Sequence, residues 1–223
     1  IAVGAFQVWS SSLGVIFTSS ALPGIGGADL GKVLGLVSNA GCFIGTLAAA
    51  PLAERFFRRR YKLFLVVTGA VQAVLLAVFS ASVPGPAAEG GRRPEAALPV
   101  GPWGMLAVLS AASVLNGLAA PVCFELGAEL TYPSPEGVSA SAYSFTLNGG
   151  GFLLMLALSG LGGAALPGGM SCGLMAGLVI VGLALLLPVH EVYPRLAVDT
   201  ECCQNLASSP LSAPPSPIFA GGQ

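Results

Sequence analysis

Three carboxylates, Glu125, Glu129 and Glu136, fall in the stretch from Pro121 to Gly137, which also holds three prolines. Glu125 and Glu129 stand four apart and share a face if their helix extends that far. Buried carboxylates can bind and release protons, because desolvation disfavours the charged form. The preferred alternative is a charge network with the basic run from Arg55 to Arg60.

A second set of polar groups lies inside otherwise apolar runs: Gln7, Asn39, Asn116 and Asn148. Polar groups in hydrocarbon are costly unless satisfied, so they face a bundle interior or a cavity. Asn148 sits about ten residues into its run, near the midplane where transporters hold substrate. Bonding to a neighbouring helix is the competing role for this amide. Gln7 and Trp9 add an amide and an aromatic face, which suits a cationic or planar ligand. On an ideal helix they point roughly 200° apart, so sharing a pocket requires a distorted helix or a broad pocket. Asn39 and Asn116 read as packing amides.

Other chemistry finds little footing. His190 has no nucleophile arranged beside it, and HExxH and paired aspartates are both missing. The chain reads as a non-enzyme. Cys42, Cys123 and Cys172 lie in or beside apolar segments as small packing residues without metal-ligand spacing, so no metal or cofactor is expected. Cys202 and Cys203 are either S-acylated or unmodified tail cysteines. A net charge of −1 and a pI near 5.8 offer no basic surface for nucleic acid.

The elements that must position these residues are membrane helices. Of 223 residues, 54% are hydrophobic and 9% charged, and mean hydropathy is +0.83. Soluble domains carry about 25% charged residues. Apolar stretches of roughly 20 residues recur, each long enough to cross about 30 Å of hydrocarbon. Leu178 to Leu187 lacks the polar alternation of a barrel strand. Six spans are expected at 1–19, 33–53, 63–83, 103–124, 138–160 and 171–189, forming one all-α bundle over 1–189 in contact with membrane lipid. Residues 190–223 read as a disordered cytoplasmic tail, rich in serine and proline. The run Gly41-Cys42-Phe43-Ile44-Gly45 has the Gly-x-x-x-Gly spacing that lets helices approach closely.

Arg55, Arg58, Arg59, Arg60, Lys62 and Arg195 fall on one side of the spans, and Lys32, Arg92 and Arg93 on the other. That bias places the second and fourth connections and the tail in the cytoplasm. The chain opens at Ile1 inside an apolar run, as a fragment would, rather than as a signal peptide.

Order of spans and a basic second connection resemble the carboxyl-terminal half of a major facilitator transporter. Ala50-Pro51-Leu52-Ala53-Glu54-Arg55-Phe56-Phe57-Arg58-Arg59-Arg60 is similar to that superfamily's Gly-x-x-x-Asp-Arg-x-Gly-Arg-Arg motif. Glu54, Arg55, Arg58 and Arg59 match in kind, whereas Ala50 and Phe57 replace its glycines. Phe124 to Gly137 resembles the Glu-x-x-x-Glu-x-x-Tyr-Pro-x-x-Glu-Gly signature of the feline leukaemia virus subgroup C receptor family of solute carriers. Gly4 to Ser10 and Tyr193 to Asp199 look closest to its lysosomal branch, called disrupted in renal carcinoma.

The resemblance implies a secondary transporter whose small-molecule substrate is vitamin B6-like, choline-like or haem-related. A second, amino-terminal six-helix half would be its partner, and protons are a candidate coupling ion. A lysosomal membrane is implied, with the plasma membrane as alternative. In relatives a glutamine of the fifth helix contributes to the choline pocket. Asn148 occupies that place here, an amide shortened by a methylene, which departs from a choline site and agrees with the lysosomal branch. Gln7, Trp9 and Asn148 are therefore the expected substrate-binding residues, and Glu54, Arg55, Arg58, Arg59, Glu125 and Glu129 the expected cytoplasmic gate. The rival readings are a non-transporting receptor or scaffold and an inactive truncated isoform.

Overall fold

The computed structural model describes residues 3–7, 9, 10, 13, 27–56, 60–83, 97, 98, 100–160 and 168–190. Arg58, Arg59 and the expected tail beyond His190 lie outside the described residues. Long aliphatic runs with internal backbone hydrogen bonding give helices, since hydrocarbon offers no partner to a free N–H or C=O. Helical positions 3–7, 9 and 10 make up α1. The rest are α2 (Gly27–Phe56), α3 (Tyr61–Ser82), α4 (Pro102–Leu130), α5 (Glu136–Gly160) and α6 (Gly168–Leu186). Three of them, α2, α3 and α4, are each long and apolar enough to cross a membrane. The chain is an all-α membrane bundle.

Two helices outrun the apolar segments that announce them. α2 begins at Gly27, where Asp29 in the first turn suits the positive end of the helix dipole and pairs with Lys32 at 3.2 Å. Its 30 residues span about 45 Å at 1.5 Å per residue, longer than a hydrocarbon core of about 30 Å. α4 continues through Glu125 and Glu129 to Leu130, where the Thr131 N–H and hydroxyl both donate to the Gly127 carbonyl. A tight turn with a cis Tyr132–Pro133 bond follows, and Pro135 accepts the first N–H bonds of α5.

α4 is the central strut, packed on α2, α3 and α5, while α6 packs on α3. Small residues set the α2–α4 crossing. A Cβ on Gly45 would run into the Val114 carbonyl, and one on Gly117 would run into the Cys42 carbonyl. A Cβ on Gly41 would stand 3.1 Å from the Ser110 carbonyl and from the Ser113 side chain. The Gly-x-x-x-Gly pair is thus a packing face, closed further by Thr46, whose hydroxyl reaches the Gly117 carbonyl at 3.3 Å.

Two apolar clusters fill the interior. One gathers Phe6, Trp9, Leu34, Leu76, Phe79, Met105, Leu109 and Met175. The other gathers Ala49, Ala53, Phe64, Leu65, Leu118, Val122 and Leu126. Along α2, α3 and α4 the fully buried residues between these clusters are polar or glycine. Ser38 and Ser113 hydrogen-bond at 2.8 Å, Gln72 Nε2 donates to Asn116 Oδ1 at 3.3 Å, and the Thr68 hydroxyl returns to the Phe64 carbonyl.

Candidate functional site

Gln7 and Asn39 meet across α1 and α2. Gln7 Nε2 donates to Asn39 Oδ1 at 2.8 Å, and Asn39 Nδ2 donates to the Gly35 carbonyl at 2.9 Å. Asn148, on α5, is exposed and donates to the Ser144 carbonyl at 2.8 Å. α1 lies directly against α5, because Gly4 abuts the backbone of Leu147. Gly4 is one turn from Gln7 and Leu147 adjoins Asn148, so the three amides occupy neighbouring turns of α1, α2 and α5. Asn39 is exposed and Gln7 half-buried. Phe145, one turn from Asn148, is 80% exposed and supplies an aromatic ring to α5 at that level.

Trp9 does not join them. It is 1% exposed, with its ring 5.5 Å from Phe6 and edge-on to Phe79 at 6.1 Å. Its indole N–H is buried without a hydrogen-bond partner. Gln7 is half-buried, whereas Trp9 is packed into the core. The structure does not bring them into one pocket.

The other group of expected residues lies at the opposite level, where α2, α4 and α6 all end. Three carbonyl-rich helix ends make this edge electronegative, and Glu54, Glu125 and Glu129 add carboxylates to two of them. Cations gather correspondingly. Arg55 lies in the last turn of α2, and Arg60 directly precedes α3. Lys62 Nζ donates to the Leu187 and Val189 carbonyls, capping α6 from α3. Glu54, Arg55 and Glu125 are exposed, whereas Glu129 is 4% exposed and its Oε2 lacks a hydrogen-bond partner. Among the described residues no ion pair joins Arg55 to either α4 glutamate.

Between the two levels lies a cavity of about 210 Å³, walled by α3, α4, α5, α6 and Val3. Gln72, Asn116, Cys123 and Tyr143 supply its polar groups. Asn116 is the interhelical packing amide expected from its sequence. Gln72 carries the same kind of signal, an amide inside the apolar run 63–83. None of Gln7, Trp9 and Asn148 lines this cavity.

Comparison with protein families, curated proteins and solved structures finds no match. The site is therefore defined by its own geometry. Among the described residues no three His, Cys, Asp or Glu side chains gather as a metal site would require. What the open face offers is neutral hydrogen bonding beside an aromatic ring, suited to orienting a polar or cationic organic molecule without bond chemistry.

Proposed function

We propose that the chain is one six-helix bundle of a secondary transporter that moves a small polar or cationic organic solute by alternating access. The observation that carries this is the placement of Asn39 and Asn148, amides exposed midway along α2 and α5. Leaving an amide in hydrocarbon costs a few kcal/mol. A face with such groups on adjacent helices belongs against a polar cavity or a second bundle rather than lipid alone. Opposed to a second six-helix half, the Gln7, Asn39, Asn148 and Phe145 face would line a solute path, and rocking between the halves would expose it alternately.

The likeness of Phe124–Gly137 to the feline leukaemia virus subgroup C receptor family supports the same reading and a vitamin B6-like, choline-like or haem-related solute. Glu129 would serve the gate, its buried carboxylate pairing with the basic run of the α2–α3 connection in one state and losing that pairing in the other. A lysosomal membrane is the proposed site of action, with the plasma membrane as alternative.

Proteoliposomes bearing the full-length protein provide the test. Saturable uptake of pyridoxine, choline or haem, lost in Asn148→Ala at equal protein density, is the expected result. Flux of all three indistinguishable from empty vesicles would leave a receptor or scaffold as the better reading.

A further inference from the structure

The cavity inside the bundle has the properties of a second site. Its volume of about 210 Å³ exceeds the roughly 150 Å³ that accommodates benzene in an apolar protein interior. A single substituted ring is the matching size. Leu65, Val179 and Leu183 give it aliphatic walls. Gly69 keeps one wall recessed, since a Cβ there would come within 2.7 Å of the Leu183 side chain.

Its polar groups are concentrated rather than scattered. Gln72 and Asn116 are 4% and 1% exposed, and the bond between them is long, at 3.3 Å. Each amide can form several hydrogen bonds, with two donors and an acceptor oxygen; Asn116 Nδ2 also donates to Cys42 Sγ at 3.9 Å, and both amides line the cavity. The Tyr143 hydroxyl and the Cys123 thiol complete the polar side. The lining contains neither acid nor base. An ion placed there would lie desolvated without a counter-charge, which is strongly unfavourable.

We infer that this cavity binds a small uncharged ring molecule bearing an amide-like donor and acceptor edge, at a site separate from the open face of α1, α2 and α5. The ring would occupy the aliphatic part and the polar edge would engage Gln72 and Asn116. The inference stands independently of the transport reading, because it uses neither the open face nor the gate.

Benzamide, toluene and benzoate share a ring and differ in the property at issue. Alkylation of Cys123 by N-ethylmaleimide, followed by peptide mass spectrometry on the full-length protein in detergent, reports occupancy, with Cys42 as internal reference. Benzamide at about four times its Kd is expected to slow Cys123 alkylation about fivefold, following 1 + [L]/Kd. Toluene and benzoate at the same concentration should protect far less. Ala119→Leu, which fills the cavity, should abolish benzamide protection. Gln72→Leu, which keeps volume but removes the amide, should level benzamide with toluene and serves if the first variant does not fold. Equal protection by toluene and benzamide in the unaltered protein would overturn the inference in favour of a site for acyl chains. Protection by none of the three, with no ligand-induced rise in melting temperature, would overturn it in favour of a water-filled void.

Discussion

Gly4 of α1 lies so close to Leu147 of α5 that a Cβ at position 4 would collide with the Leu147 carbonyl oxygen and crowd its side chain. The two helices meet backbone to backbone, and this contact brings Gln7 and Asn148 to neighbouring turns.

Gly4→Ala must therefore push α1 and α5 apart, at a cost of about 1–3 kcal/mol for overpacking. Gly149→Ala on the same helix meets nothing within 4 Å and should be neutral, or stabilising by up to about 1 kcal/mol through helix propensity. Thermal unfolding in detergent distinguishes the two, and equal melting of both variants would contradict the contact.

The Gln7–Asn39 bond should couple measurably yet weakly. Hydrogen bonds between membrane helices average about 0.6 kcal/mol in double-mutant cycles. A cycle of Gln7→Ala and Asn39→Ala, read by unfolding in mixed micelles, should return a coupling of about that size. Solute uptake should fall in each single variant by much more than the stability change explains.

Glu125 and Glu129 should respond differently to the same substitution. Glu129 is buried with an oxygen lacking a partner, so Glu129→Gln removes an uncompensated group and should raise stability by about 1 kcal/mol. The same change should depress uptake if the carboxylate works in the gate, the familiar trade of stability against function. Glu125→Gln on the exposed neighbouring turn should shift stability by less than about 0.5 kcal/mol. Reversed magnitudes in a melting assay would show that Glu129 is satisfied in the folded protein.

Lys62 provides the fourth test. Lys62→Met keeps much of the side chain's length but removes the donor to the Leu187 and Val189 carbonyls, costing about 1 kcal/mol. Hydrogen exchange should accelerate in the last turn of α6 and remain unchanged across the α2–α4 crossing. Unaltered exchange near Leu187 would show that another group holds that end.

The centres of α2 to α6, of which α2, α3 and α4 are long and apolar enough to cross a membrane, are legible in the sequence as apolar runs. Their ends are less so. α2 starts at Gly27 and α4 runs to Leu130, because a helix persists as long as its hydrogen bonds are satisfied, regardless of whether its side chains are apolar. The angular gap between Gln7 and Trp9 can be read from periodicity alone, and in the structure Trp9 is buried while Gln7 is half-buried. Burial of Glu129 beside exposed Glu125 could not, since four-residue spacing names a shared face without naming what covers it. Gln72 carries the signal of an amide in an apolar run, but its partner Asn116, 44 positions away on another helix, cannot be read from it.

The band of hydroxyls and amides between the two apolar clusters has one further consequence. Leucines and alanines that slide past one another find other leucines and alanines, so the clusters contribute area without distinguishing one alignment from the next. Moving α3 by a turn relative to α4 would instead break the bond between Gln72 and Asn116, and Ser38 and Ser113 would part in the same way if α2 slipped. Polar side chains in this position act as a registration mark, as a single buried asparagine does in a coiled coil. The interior thus separates two duties: the aliphatic ends hold the helices together, and the narrow band between them specifies which of many similar alignments is the native one.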